Sequence, residues 1–443
     1  MTTTSHQSVR SAVAAFIGTS CEWYDFFLYG TAATLVFPKL IFSNLPPPVA
    51  ILVSLSTFAV SFVMRPIGGF VFGHFGDRVS RQRMLVVTLS ITGVGTVLIG
   101  CLPTYQQAGV WAPLLLVFLR MAQGFGLGGE WGGAALVAVE NAPAGRRGLF
   151  GSSMQMGVPA GLLLSTAAFD AVAALPDPQF YGWGWRVPFL CSFVLLLVGL
   201  YIRLRVAESE HFRRVVQARA QARIPLVDVV VRAWRPVLLL IFVQSATNIG
   251  YYIFTTYSVV YVTGPLHLPR TWVLNGLLVA AAADLVAQPL FGALSDRLGR
   301  RAVFAGGAAC IGLWGFAFFP LAATGNEALL WLALVVSLGL GHASTSALLG
   351  PLYSEQFPTR VRYTGASLGF QLSGVVTAAP APALAAALFA ATGTPVAVAV
   401  YIAVAAAVSI GCVIALGETR DVDLGAGDPR EEARAEEMAP LEV

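Results

Sequence analysis

Twelve long apolar segments constrain this chain more than any other feature. They lie at about 12–37, 48–73, 84–103, 111–139, 149–172 and 187–204, then at about 236–262, 271–294, 302–323, 328–352, 364–391 and 394–416. A helix needs roughly 20 apolar residues to cross about 30 Å of hydrocarbon, and in lipid every backbone polar group must find its partner within the protein. Each segment is therefore predicted to be a membrane-spanning helix, and the fold class is all-α and polytopic, with the lipid bilayer as its solvent. Only 11% of residues are charged against 56% hydrophobic, whereas a soluble domain carries about a quarter charged residues. That balance excludes a soluble enzyme.

The short loops set the expected orientation. One side carries Arg78, Arg81, Arg83, Arg146, Arg147, Arg297, Arg300, Arg301, Arg360 and Arg362, the other only Lys39, Arg186 and Arg270. Ten basic residues against three place both termini in the cytoplasm, so the basic balance reports topology and not a nucleic-acid partner. Lys39, the sole lysine, is followed by Leu40, which rules out a Walker phosphate loop and leaves the chain without an ATP motor of its own. The five cysteines fall in apolar stretches with neither disulfide nor metal spacing, and no cofactor is expected. Residues 1–204 form an N-terminal six-helix half, 205–235 a charged cytoplasmic linker, 236–416 a C-terminal half, and 417–443 an acidic tail expected to be disordered.

The halves repeat. Gly73, Asp77, Arg78 and Arg81 follow the second segment, and Gly292, Asp296, Arg297 and Arg300 follow the eighth, offset by 219 residues. Glu140, Pro143 and Arg147 recur as Glu355, Pro358 and Arg362, offset by 215 residues. Two different motifs at nearly one spacing, on one side of the membrane, indicate a duplicated six-plus-six architecture around a midplane site.

The loop from Gly292 to Arg301 resembles the signature of the major facilitator superfamily, although Ser80 stands in the first copy where glycine is usual. Glu22-Trp23-Tyr24-Asp25-Phe26, Arg65-Pro66-Ile67-Gly68-Gly69 and the run from Arg120 through Gly133 resemble the metabolite:proton symporter family more narrowly. The resemblance implies two pseudo-symmetric six-helix halves and uptake, with protons, of shikimate, di- and tricarboxylates, or proline and betaine. It also implies a cytoplasmic gate built from Asp77, Arg78, Arg81, Glu140 and Arg147 with Asp296, Arg297, Arg300, Glu355 and Arg362, closed when the site faces outward.

Charge is expensive in lipid, so the ionisable residues deep in the segments are functional candidates: Glu22, Asp25, Arg65, Arg120, Glu130 and Asp284. Desolvation penalises the charged form of a carboxyl that lacks a cationic partner, which makes Asp25, Glu22 and Glu130, with Arg120 as counter-ion, the candidates for proton coupling. Glu22, Asp25 and Tyr29 share one helical face, as do Arg120, Gln123 and Glu130. Arg120 is expected to neutralise Asp25 in the empty state and to release it when an anionic substrate arrives, because a guanidinium stays charged and binds carboxylates bidentately. Asp284 is left without a role.

Candidate substrate contacts are Arg120, Tyr29, Gln123 and Arg65 from the first half, and Gln244, Asn248, Tyr251, Tyr252, His342 and Gln371 from the second. The glycines of the fourth and fifth segments are expected to let helices approach closely. The reading is a monomeric, proton-driven importer of a small polar carboxylated metabolite, shikimate-like or a di- or tricarboxylate, in a bacterial inner membrane, working by rocking of the halves. A proline or betaine symporter, and a facilitator or proton antiporter on the same fold, are the alternatives. A membrane enzyme lacks a catalytic constellation, and a receptor lacks a signalling domain.

Overall fold

The computed structural model describes residues 2–143, 145–204, 229, 231 and 233–424. The first helix, α1 (Thr2–Leu35), holds Glu22 and Asp25. Eleven further helices are long and apolar enough to cross a membrane: α2 (Val49–Arg78), α3 (Arg81–Gly100), α4 (Trp111–Glu140), α5 (Arg147–Ala173), α6 (Asp177–Leu204), α7 (Trp234–Thr263), α8 (Arg270–Leu298), α9 (Arg300–Ala323), α10 (Glu327–Ser354), α11 (Arg362–Thr392) and α12 (Val396–Leu416). No strand occurs among the described residues. Each predicted segment coincides with one helix, and the helices overrun the segments mainly at charged loop residues. Nearly all of the predicted linker lies outside the described residues, as does the tail beyond Leu424.

Bulky apolar side chains such as Leu52, Phe118, Val286 and Leu313 are exposed, which in a polytopic protein is the lipid-facing surface. Inside each half, glycine permits close packing. In α4 a Cβ on Gly128 would lie 2.0 Å from the Arg65 carbonyl oxygen, and one on Gly124 2.5 Å from that of Ser61. Helices α2 and α4 therefore meet backbone to backbone.

The halves touch along α2 with α11, α8 with α5, and α4 with α10 and α11. Trp131 of α4 stacks on Phe370 of α11 at 3.8 Å between ring centroids, with planes 9° apart. Gln371 donates to the carbonyls of Leu127 and Gly128 at 3.2 and 3.1 Å.

Of the tail expected to be largely disordered, the first residues are ordered: Gly417 to Leu424 lie against the arginine-rich loops, and Leu424 is buried. These residues find backbone and carboxylate partners there, described below, which outweigh the polar composition that predicted disorder.

Candidate functional site

A pseudo-symmetric gate closes one end of the interface between halves. Asp77 accepts from the backbone N–H groups of Tyr363 and Thr364 at 3.1 and 2.9 Å and from the Thr364 hydroxyl at 2.9 Å. Asp296 accepts from the N–H groups of Gly148 and Leu149 at 2.7 and 2.9 Å. Each loop aspartate thus caps the first turn of a helix in the opposite half, where unpaired N–H groups and the helix dipole favour an anion. Glu140 binds Arg81 and, at 2.7 Å, Arg362 of the other half. Its counterpart Glu355 binds Arg300 at 3.4 Å and Arg147 of the other half at 3.9 Å.

Burial pushes the Glu355 carboxyl above the usual glutamate range although Arg300 opposes it. Arg78 and Arg297, expected in this network, are not part of it. Both are exposed; among the described residues Arg78 meets His74 at 3.4 Å, and Arg297 offers its carbonyl to Arg420 at 2.9 Å.

The tail joins the gate. Glu418 accepts from the N–H groups of Arg300 and Arg301 at 2.9 and 3.2 Å, and so caps α9. The Thr419 hydroxyl donates to Glu355 at 2.6 Å. Val422 accepts from Arg147 at 2.5 Å, and Leu424 from Arg362 at 3.0 Å.

This explains why the two signature loops differ. Gly299 adopts φ +97°, and a Cβ there would sit 2.4 Å from a Glu418 oxygen. Ser80, in extended backbone, instead caps its own helix by accepting from the Arg83 N–H at 3.1 Å.

Away from the gate the halves part. A cavity of about 840 Å³ is lined by the later half of α1, the ends of α5 and α11, residues 251–256 of α7 and the first turns of α8, including Asp170 and Arg270. Below it a cavity of about 60 Å³ holds Trp23, Phe62 and Arg65 from one half and Gln244, Asn248, Tyr251, Tyr252, His342 and Gln371 from the other. The interface between the halves is therefore closed at the arginine-rich loops and open opposite them; with those loops expected in the cytoplasm, this is the outward-facing arrangement.

Seven sequence-predicted contacts meet at the small cavity: Arg65, Gln244, Asn248, Tyr251, Tyr252, His342 and Gln371. Arg65 lies over the rings of Phe62 and Phe26, at 4.5 and 5.2 Å, and its buried Nε has no hydrogen-bond partner among the described residues. Asn248 donates to Thr377 at 2.8 Å, and Gln244 accepts from the Tyr353 hydroxyl at 3.1 Å. Three π-helical turns, Ile253–Tyr257, Ser337–His342 and Gly374–Ala378, begin or end beside this cavity. Such turns re-aim side chains and often mark functional positions.

Arg120, Tyr29 and Gln123 line neither central cavity. They are buried within the N-terminal half. Arg120 lies 3.8 Å over the Tyr29 ring and donates to Gln123 at 3.0 Å. Tyr29 is hydrogen-bonded to Thr57.

The direct Arg120–Asp25 pair expected for the empty protein does not occur among the ion pairs of the described residues. Gln123 donates to Thr96 at 2.7 Å, Thr96 adjoins Asp25, and Ser192 donates to Asp25 at 2.8 Å. Arg120 thus reaches Asp25 through two neutral side chains.

Glu130, a candidate for proton coupling, forms a buried ion pair with Arg203, with a second contact at 3.1 Å. Arg203 was missed because a basic residue in the last turn of α6 reads as a topology signal; its reach back into the half is invisible in sequence. Glu22 and Asp25 have no ion pair within 4.0 Å among the described residues. Asp284, given no role, bonds His342 at 3.0 Å.

Residues 15–379 match the family described as Major Facilitator Superfamily. The chain is 45% identical over 382 residues to the inner membrane metabolite transport protein YhjE of Escherichia coli K12, covering 85% of this chain and 87% of that one. It is 40% identical to the shikimate transporter of the same organism, covering 86% and 87%. Identity to the Escherichia coli K12 proline/betaine transporter is 33%, covering 86% and 77%. In fold it is similar to the proton:xylose symporter XylE, with a TM-score of 0.74 at 18% identity over 97% of this chain and 99% of that one.

Proposed function

The chain belongs to the Major Facilitator Superfamily, a family of membrane transporters and not of enzymes, and on that premise we propose that it is a proton-coupled importer of a small carboxylated metabolite. The carrying observation is the central cavity, where Arg65 presents a buried guanidinium nitrogen without a partner among aromatic and amide side chains of both halves. A guanidinium in a low-dielectric site selects a carboxylate. Rings such as Trp23, Tyr252 and Phe370 favour a compact cyclic body, and the shikimate transporter at 40% identity supports that class. Di- and tricarboxylates meet the same cation.

A second reading has its own support. Aromatic rings around the cavity also suit a quaternary amine, and the proline/betaine transporter is 33% identical. Zwitterions of that kind still carry a carboxylate for Arg65.

Coupling is assigned to Glu22 and Asp25. The deep acids Glu22, Asp25, Glu130 and Asp284 face three deep arginines, Arg65, Arg120 and Arg203, all buried. One negative charge is left over, and a proton is the simplest means of removing it. Protonation in the outward state, substrate capture at Arg65, and rocking of the halves as the gate opens complete the cycle.

One charge across about 100 mV is worth about 2.3 kcal/mol, roughly a 40-fold gradient of a neutral or zwitterionic co-transported species; for a carboxylate with one net negative charge entering with one proton the voltage term cancels, and the pH difference drives uptake. The ten-to-three distribution of loop charge supports cytoplasmic termini, and the YhjE name supports the inner membrane.

The test is uptake into proteoliposomes of labelled shikimate, 2-oxoglutarate, citrate, proline and glycine betaine, with and without an inward proton gradient. Accumulation of one of the carboxylates above equilibrium only with the gradient is expected. Accumulation driven by an outward gradient would identify an antiporter, and gradient-independent equilibration a facilitator.

A further inference from the structure

We propose that Asp284 and His342 form a second proton site, in the C-terminal half, whose protonation is linked to substrate binding. The inference rests on the reading that the substrate carries a carboxylate. His342 Nδ1 lies 3.0 Å from Asp284 Oδ2, and both residues are more than nine-tenths buried. Gln288 donates to the other Asp284 oxygen at 3.3 Å and to the Gln155 carbonyl at 3.3 Å, which fixes the carboxylate. With a carboxylate as partner Nδ1 is the donor.

Nε2 then remains, and it makes no hydrogen bond among the described residues. His342 lines the small central cavity, with its ring 4.6 Å from that of Tyr251. It ends the π-helical turn Ser337–His342, the device that turns the ring inward. Facing the pair are Tyr251 and Tyr252 of α7, Arg65 of α2 across the cavity and Gln155 of α5. Of these, Arg65 is charged.

The linkage follows from charge. Before binding, Asp284 is satisfied by a neutral imidazole. When a substrate carboxylate enters, a proton from the outward cavity bonds to Nε2, and the imidazolium then lies between two carboxylates, Asp284 and the substrate's. Departure of the substrate toward the cytoplasm removes one of them, and the Nε2–H bond breaks to water on that side. By reciprocity, substrate raises the proton affinity of the pair as much as the proton raises substrate affinity. Lining from both halves makes the same event a sensor of substrate for the C-terminal half.

The experiment has two arms on the full-length protein in detergent. First, protons taken up on adding shikimate, 2-oxoglutarate, citrate or proline are measured with a pH dye in weak buffer. Wild type is expected to take up close to one proton more per bound ligand than H342Q or D284N, and its affinity to fall more steeply with rising pH, by on the order of tenfold per pH unit. Equal uptake and equal pH slopes in wild type and both variants would overturn the proposal.

Second, imidazole nitrogen NMR follows His342 among the five histidines, assigned by its loss in H342Q. The proposal requires a signal held as the Nδ1–H tautomer that becomes the doubly protonated imidazolium when a carboxylate binds, and a tautomer mixture in D284N. A His342 that is not held as the Nδ1–H tautomer overturns it even if no panel compound binds. Failure of every panel compound to bind would instead sink the carboxylate reading of the substrate.

Discussion

Replacing Asp77 by alanine should open the gate at the arginine-rich loops. Asp77 is fully buried and accepts three hydrogen bonds across the interface, at 3.1, 2.9 and 2.9 Å. Loss of an N-cap costs about 0.5–2 kcal/mol, and leaving buried donors unsatisfied adds about 1–3 kcal/mol. These partners separate when the halves rock, so the loss falls on the outward-facing state. We expect a net shift of about 2–3 kcal/mol, or roughly 30- to 150-fold in the ratio of the two states, since about 1.4 kcal/mol is tenfold.

Spin labels at R83C and L298C, exposed positions on opposite halves, would report it in a background with the native cysteines replaced. D77A should convert the short distance to a longer one or to a mixture. R78A, one residue along but exposed, should leave the distribution unchanged, as surface substitutions do within about 0.5 kcal/mol. An unaltered short distance in D77A would refute the assignment of Asp77 as a cross-half cap.

Three other perturbations follow from the packing. G128A puts a methyl 2.0 Å from the Arg65 carbonyl and 2.5 Å from the Gly69 nitrogen; both are backbone, so at least the usual overpacking cost of about 1–3 kcal/mol is expected as a lowered thermal midpoint. R203M strands Glu130 without its buried cation, at about 3–5 kcal/mol, and R203M/E130Q should recover most of that loss in the same melt. E418Q should destabilise the protein in a pH-dependent way. Burial alone would raise Glu418, but the backbone N–H groups of Arg300, Arg420, Arg301 and Thr419 outweigh it and hold the carboxyl below the ordinary value of 4.5. Its contribution is complete above that value and fades as pH falls through the lower folded-state value, so the difference in melting temperature between wild type and E418Q should be constant from about pH 6 to 8 and shrink below about pH 4.5.

The helices were legible because lipid allows almost one solution to a long apolar segment. The gate was legible because the duplication places Asp77 with Asp296 and Glu140 with Glu355, and acids beside topology-setting arginines need a further reason to be there. Sequence could not separate Arg81 and Arg300, which turn into the interface, from Arg78 and Arg297, which turn out, because that depends on where the opposite half sits.

Six of the buried charges were legible by type, but Arg203 was not, and the one pairing expected, Arg120 with Asp25, is not direct. Arg203 reaches Glu130 from another helix, and Gln123 with Thr96 stands between Arg120 and Asp25. Helical periodicity relates residues on one helix and says nothing of which faces meet. The order at the start of the tail was hidden for a related reason, since Glu418 is polar by composition but sits on helix N–H groups that only the folded gate provides.

The central claim is that buried acids of α1 couple proton and substrate flux. Its most direct test is E22Q/D25N in proteoliposomes, comparing gradient-driven accumulation with exchange of preloaded substrate, using the carboxylate that wild type accumulates. Loss of accumulation with exchange retained is the predicted result, and accumulation undiminished from wild type would contradict it.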